Sequence, residues 1–220
     1  MPTATVADAI GLVGVALSTL ATWAQYSRAR RYGIDGISLL TWFQFILMGL
    51  FWISYGTAEH APVIIAGSAA CLPIQLAIVA KLSPHRHPDH LLTGVVFVGT
   101  CCALPVGLFG WSAGALGCGV AMVINRLPQI VKLQRHPGDI GVSVASWMLG
   151  AACSVAWIGY YVFSHLWAAL AATVAGMAGN LVIAALASWR HHQVEATVEL
   201  VGPLPGAAED LGHVLQLQGQ

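Results

Sequence analysis

The chain of 220 residues has 9 Lys and Arg against 9 Asp and Glu, so only 8% of it is charged, whereas 57% is hydrophobic. A soluble domain carries about 25% charged residues and cannot bury this much apolar surface at this size. The composition therefore excludes a soluble fold, and a net charge of zero without a basic patch argues against nucleic acid as a partner. We expect an all-α polytopic membrane protein whose main partner is the lipid bilayer.

Seven apolar segments are predicted to span the membrane, since one spanning helix takes about 20 residues. In chain order they are residues 6–26, 38–56, 62–81, 91–110, 112–133, 142–163 and 166–188. The first lacks a basic start and carries Asp8, so we interpret it as a retained span and not as a cleaved signal peptide. The polar segment 189–220 is predicted to be a flexible tail.

Basic residues predict the orientation of the spans. The loops after the first, third, fifth and seventh spans contain Arg28, Arg30, Arg31, Lys81, Arg86, Lys132, Arg135 and Arg190. The loops between them contain neither Lys nor Arg. Because loops rich in Lys and Arg stay in the cytoplasm, we expect a multi-pass cell-membrane protein with its N-terminus outside and its C-terminus in the cytoplasm.

The second half of the chain repeats the first. An offset of 104 pairs Gln25 with Gln129, and after a one-residue insertion the offset becomes 105. Between residues 37–60 and 142–165 the identical pairs at this second offset are Ser38 and Ser143, Trp42 and Trp147, Trp52 and Trp157, Ile53 and Ile158, Tyr55 and Tyr160, and His60 and His165. Because Trp and Tyr are rare residues, chance is a poor explanation for these identities.

Each copy holds three spans, and an odd number of spans would invert a directly joined second copy. The fourth span, 91–110, is therefore predicted to be an inversion linker between a first three-helix repeat at 6–81 and a second at 112–188. Parallel repeats related by an axis along the membrane normal are a known transporter architecture. The substrate site of such proteins lies at the repeat interface near the midplane, and we expect the same here.

One motif of the second copy resembles the PQ-loop superfamily. It consists of Pro128 and Gln129 near the cytoplasmic end of a span, a basic loop, then Gly141, Val142 and Ser143, and finally the segment from Trp157 to Tyr160. With three, one and three spans, the chain most closely resembles the SWEET branch of sugar transporters, over roughly residues 6–188. The first copy has Ala24 where the motif has Pro and keeps only Gln25.

The resemblance implies a facilitative carrier for small sugars, in which two three-helix bundles rock about a central pocket. Pro128, with Gln129 and its repeat partner Gln25, is then a hinge, and a static kink is the alternative. In the family a Trp on the second helix of each bundle lines the pocket, and these positions match Trp52 and Trp157. An indole can stack on a sugar ring and donate a hydrogen bond, while core packing or an interfacial belt is the alternative.

An Asn that lines the family's pocket does not carry over, because Gly67 and Ala172 occupy its two places. We therefore expect a wider and more apolar pocket at mid-depth than a sugar site has. Gln75 and Asn180, which match at the offset of 105, are the expected polar recognition groups, with interhelical hydrogen bonding as the alternative. Two hydroxyl residues directly after the vacant places are weaker candidates: Ser68 and Thr173.

Arg126 and Asp8 are the charged residues that lie well inside the predicted spans. We expect the Arg126 side chain to extend to the cytoplasmic interface, with a gate residue or an anion contact as the alternatives. Proton coupling through a buried acid has little support, because Asp8 is the only carboxylate within a span. Asp35 and Asp139 are expected to cap the helices that follow them.

Sequence signals for an enzyme are absent, since there is no Gly-rich phosphate loop and no acidic pair within a span. We expect no cofactor and no metal, with the His-rich loop around Asp89 as ordinary solvated chain and the five cysteines as buried thiols. Besides a sugar carrier, two functions remain open: a carrier of an amino acid or another amphiphile, and a non-transporting seven-span receptor or assembly protein. The oligomeric state is open too, so a second copy of the chain is a candidate partner.

Overall fold

The computed structural model describes residues 2–31, 38–82, 88–127, 130, 131, 134 and 144–201. Every regular element in this part of the chain is helical, and none is a strand, which confirms the all-α class. In chain order the elements are α1 (Pro2–Arg31), α2 (Leu39–Ala58), α3 (Pro62–Leu82), α4 (Pro88–Val98), a π-helical segment (Gly99–Ala103), α5 (Leu104–Phe109), α6 (Trp111–Ile124), α7 (Val144–Phe163) and α8 (Trp167–Val201).

Five helical segments are long and apolar enough to cross a membrane, judged by length and composition. They are Thr5–Arg31, Leu39–Ala58, Pro62–Leu82, Leu91–Phe109 and Trp167–Trp189. Two shorter apolar helical segments are Trp111–Ile124 and Trp147–Phe163. Helices suit a bilayer because their backbone N–H and C=O groups are satisfied within the helix, without water. The chain is therefore a membrane-embedded helical protein.

We refer to α1, α2 and α3 as the first group of helices and to α6, α7 and α8 as the second. In the first group α3 packs against both α1 and α2, and in the second α8 packs against both α6 and α7. The two groups meet closely where α1 packs against α7, whereas α2 and α6 touch only briefly. On that second side α4 and the π-helical segment pack against α2 and α6 respectively. One core cluster lies between the groups and includes Tyr55, Ile64, Ala115, Tyr160 and Tyr161.

One turn geometry occurs twice at the offset found in the sequence. His60, after α2, has a φ of 52°, and His165, after α7, has a φ of 58°. In each turn the N–H of the next residue donates to the carbonyl five residues earlier, over 2.8 Å and 3.0 Å. This is the Schellman cap, in which one left-handed residue reverses the chain at a helix end. The matched histidines therefore close equivalent helices in the two halves.

α6 ends before the predicted span 112–133 does. Its regular hydrogen bonding stops at Ile124, and Asn125 and Arg126 form a turn. A proline has no N–H, so Pro128 cannot donate to the carbonyl of Ile124 four residues earlier, which explains where the helix breaks. Pro128 and Gln129 themselves lie outside the described residues, so the hinge assigned to them stays a prediction.

The start of α2 is capped by a serine. The Ser38 hydroxyl accepts a hydrogen bond from the N–H of Thr41 over 3.3 Å, as an N-cap side chain does. Asp35 and Asp139, the expected caps, lie outside the described part of the chain.

α8 continues to Val201, beyond the predicted end of the last span at 188. Residues 189–201 are therefore helical where we predicted a flexible tail. Good helix formers such as Ala, Gln and Glu occur here, and neither Gly nor Pro interrupts the segment before Gly202. The rest of the predicted tail, 202–220, lies outside the described residues.

Candidate functional site

Three aromatic rings form a stack where the two groups of helices meet. Trp52 of α2 and Trp157 of α7 have ring centroids 6.4 Å and 5.7 Å from that of Tyr161, with interplanar angles of 21° and 24°. Tyr161 is only 5% exposed and lies between the two indoles. Stacked aromatic pairs in this distance range attract each other. The structure thus brings the two predicted tryptophans together through a third ring, and we call the three residues the aromatic stack.

Tyr161 was absent from the predicted site because the repeat gives it no identical partner. The equivalent residue of the first copy is Gly56, so a search for matched residues passes over this position. The Tyr161 hydroxyl lies near Thr173, which is buried in α8. Thr173, predicted as a weak candidate, is therefore a neighbour of the aromatic stack.

Trp157 is held in place by polar groups of α1. Its indole N–H donates to the Ser18 hydroxyl over 3.0 Å, and that hydroxyl donates to the carbonyl of Gly14 over 2.8 Å. The Cys153 thiol lies 3.0 Å from the same hydroxyl oxygen. These contacts fix the indole at the α1–α7 interface, and they add Ser18 and Cys153 to the site, since neither residue has an identical repeat partner that would reveal it.

The indole of Trp157 fills the place that Gly67 leaves. A Cβ atom on Gly67 would lie 2.8 Å from Cζ2 of Trp157, and one on Gly14 would lie 3.1 Å from Cε2. The wider pocket that we expected at Gly67 is therefore occupied by a ring of the protein itself. In the second copy Ala172 packs against α6, because a Cβ on Gly119 would lie 2.9 Å from the Cβ of Ala172.

We predict that Gly67→Ala lowers the melting temperature of the protein in detergent. The added methyl would overlap an indole that Ser18 holds in place, and overpacking of this kind costs about 1–3 kcal/mol. A second change, Trp157→Phe, removes the atoms that the methyl meets and should recover most of the loss. An unchanged melting temperature of Gly67→Ala would contradict this packing.

Gln75 and Asn180, the matched amides, have different surroundings. Asn180 of α8 is buried, and its Oδ1 accepts a hydrogen bond from Nε of Arg126 over 2.8 Å. Gln75 of α3 has a buried Oε1 without a hydrogen-bond partner in the described part of the chain, and it lies beside Gly49 of α2. Asn180 thus makes an interhelical hydrogen bond, which was the alternative to substrate recognition. Oε1 of Gln75 remains an acceptor that another group can use.

Two further predicted site residues lie on α3 and α1. Ser68 of α3 and Gln25 of α1 are both half-buried. Within the described residues, no group of three or more His, Cys, Asp or Glu could hold a metal ion.

A cavity of about 380 Å³ lies between α2, the π-helical segment and α6, and its lining residue Phe51 has its ring centroid 5.5 Å from that of Trp52. Phe51, Cys102 and Trp111 are among the apolar residues that line it. Ser54 also lines the cavity, and its hydroxyl group donates a hydrogen bond to the carbonyl of Leu50 over 3.0 Å. The lining of the cavity has no charged side chain and includes none of the predicted recognition residues.

Comparison with known proteins gives no match to this chain among family models, curated proteins or solved structures. The function is therefore inferred from the residues and their geometry.

Proposed function

We propose that the protein is a seven-span membrane transporter that moves a small polar solute by alternating access. In this proposal α1 to α3 form one bundle, α6 to α8 form the other, and the chain from α4 to α5 links them. The resemblance around Pro128 and Gln129 relates the protein to the SWEET branch of PQ-loop transporters and makes a sugar the leading solute. An amino acid or another amphiphile is the alternative, because Gly67 and Ala172 replace the family's Asn.

The observation that supports transport is the aromatic stack. Trp52 and Trp157 come from equivalent positions of the two copies and present nearly parallel faces to the ring between them. A planar or ring-shaped solute of similar thickness fits between the same two indoles when the ring of Tyr161 leaves. Because Tyr161 and Trp157 share α7, rotation of the Tyr161 side chain as α7 moves relative to α2 would exchange the ring for a solute at the contact between the two bundles.

The packing of the helices gives the proposal a mechanical basis. In the first group α3 packs against both α1 and α2, in the second α8 packs against both α6 and α7, and in this proposal each group moves as a unit. The two groups are joined closely along α1 and α7 and loosely along α2 and α6. A rocking motion of the two groups would therefore pivot at the contact between α1 and α7 and open the contact between α2 and α6. In this proposal the basic loops place the N-terminus of the transporter outside and its C-terminus in the cytoplasm.

Uptake into proteoliposomes tests the proposal directly. We expect vesicles with the purified protein to equilibrate at least one compound from a panel of radiolabelled sugars and amino acids faster than protein-free vesicles. Trp52→Ala and Trp157→Ala should each reduce that rate about tenfold, the equivalent of ~1.4 kcal/mol. The matched control is Trp23→Ala, because Trp23 is 52% exposed on α1, away from the stack.

A folded protein that moves no compound of the panel would contradict transport. So would uptake that survives Trp52→Ala and Trp157→Ala at the rate of the Trp23→Ala control. Size-exclusion chromatography of each variant separates loss of function from loss of fold.

A second candidate function is a non-transporting receptor or assembly protein with the same helices. The observation in its favour is that Tyr161 is buried and stacks against both tryptophans, so a residue of the protein itself already makes the contacts that a solute would make. Absence of uptake, together with an intact fold, would favour this function.

A further inference from the structure

The side chain of Arg126 points toward the middle of the helices. Gly119 of α6 meets Ala172 of α8, and Arg126 meets Gly179, so the two helices run in the same direction. A Cβ on Gly179 would lie 2.7 Å from Cδ of Arg126, whereas one on Gly176, a turn earlier, would lie 3.8 Å from its Nη2. The guanidinium therefore lies deeper than the Arg126 backbone.

A hydrogen bond confirms this direction. Nη1 of Arg126 donates to the carbonyl of Met122, which is one turn earlier in α6. The predicted extension of this side chain to the cytoplasmic interface is therefore wrong, because both contacts draw the charge away from the end of α6.

The charge of Arg126 lacks a neutralising partner in the described part of the chain. A guanidinium has five N–H donors, and the described acceptors, Oδ1 of Asn180 and the carbonyl of Met122, are both neutral. A cation within an apolar span is costly unless a counter-charge or a polar cavity compensates it. Gly176 and Gly179 let the Arg126 side chain lie directly against the backbone of α8, since a Cβ on Gly179 would lie 2.7 Å from its Cδ and one on Gly176 would lie 3.8 Å from its Nη2.

We propose that Arg126 forms an oxyanion-binding site, in which Asn180 positions the guanidinium by holding its Nε. The fork of free N–H groups on Nη1 and Nη2 matches the two oxygens of a carboxylate or a phosphate. The anion comes either from a small solute or from a lipid headgroup. The site exists independently of transport, and where the proposed function holds, it assigns the solute an acidic group, as in an amino acid or a sugar acid.

Thermal unfolding of the purified full-length chain in a neutral detergent tests the site. Inorganic phosphate and acetate are titrated at an ionic strength kept constant with sodium chloride. A bound anion stabilises the folded state, so we expect the melting temperature to rise by about 3 °C or more at saturation, compared with chloride alone. Absence of any rise beyond the chloride control would overturn the proposal.

Two variants and one control sharpen the test. Asn180→Asp places a carboxylate where the amide oxygen is, so it should raise the melting temperature without added anion and abolish the response to phosphate and acetate. Arg126→Gln should also abolish the response. The matched control, Arg30→Gln, removes an exposed arginine at the end of α1 and should keep the full response. A wild-type response in Asn180→Asp would refute the assignment.

Nanodiscs distinguish the two sources of the anion. If discs containing phosphatidylglycerol stabilise the wild type, but not Arg126→Gln, relative to discs of phosphatidylcholine, the ligand is a lipid headgroup. If only soluble anions stabilise the protein, the ligand is a solute. An anion response without uptake of any labelled compound would leave this site in place and contradict only the proposed function.

Discussion

Replacing Tyr161 by alanine should lower the free energy of unfolding by about 3 kcal/mol or more. The ring lies between Trp52 and Trp157, its hydroxyl lies near Thr173, and the side chain is only 5% exposed. Between helices in a bilayer the cost arises from lost van der Waals contacts and hydrogen bonds, since lipid is as apolar as the side chains. Reversible unfolding in mixed micelles, followed by tryptophan fluorescence, measures this change.

The contributions of the ring and the hydroxyl can be separated. Tyr161→Phe keeps the ring and removes only the hydroxyl, so it should cost no more than about 1 kcal/mol. The neighbouring Val162 is exposed, and Val162→Ala should change the free energy of unfolding by less than about 0.5 kcal/mol.

Chemical rescue checks that the loss comes from a cavity. Phenol should bind in the space left by Tyr161→Ala and raise the melting temperature of this variant but not of the wild type, because apolar cavities accept ring-shaped ligands. Equal losses in Tyr161→Ala and Val162→Ala would show that the ring is not packed between the indoles.

Replacing Gly117 by alanine should push α6 away from the π-helical segment. A Cβ on Gly117 would overlap the carbonyl oxygen of Cys101 in the π-helical segment, and a backbone atom cannot move aside as a flexible side chain can. Pro105, four residues after Cys101, has no N–H to donate to this carbonyl. The helix widens into a π turn just before the proline, and the carbonyl approaches the glycine.

We expect Gly117→Ala to cost about 3 kcal/mol, at the upper end of the range for overpacking, because the obstacle is backbone. The matched control is Gly107→Ala in α5, where no atom of the described residues, apart from the glycine's chain neighbours and the adjacent backbone of its own helix, lies within 4 Å of the added methyl. There alanine should be neutral or stabilise the helix by up to about 1 kcal/mol. Melting temperatures of the two variants in the same detergent provide the comparison. A smaller loss at Gly117 than at Gly107 would contradict the close contact between these segments.

The all-helical class of the protein could be predicted from the sequence alone. Apolar runs with 8% charged residues leave few alternatives to helices in a bilayer, since only helices and closed barrels satisfy the backbone there. The offset of 105 also predicted where equivalent features lie. His60 and His165 close equivalent helices, because a Schellman cap depends on a few neighbouring residues.

The contents of the candidate site were decided by the tertiary structure. Matching the copies singled out Trp52 and Trp157, but the ring between them is Tyr161, whose counterpart is a glycine. Gly67 similarly indicated an empty place, and a side chain from another helix fills it. The sequence shows that a residue is small and therefore leaves volume free. It does not show which side chain from a distant part of the chain fills that volume.

For Arg126 too, the sequence predicted the position of the residue but not the direction of its side chain. Its position in an apolar span was evident from the sequence, and an outward extension was the expectation from the properties of a long charged side chain alone. Its actual direction depends on Gly176 and Gly179, which clear a path along α8, and on Asn180, which accepts its Nε–H. Local sequence determines which segments form helices, because each helix satisfies its own backbone. The packing of one helix on another determines where a charge lies, because only close packing brings the groups within hydrogen-bonding distance.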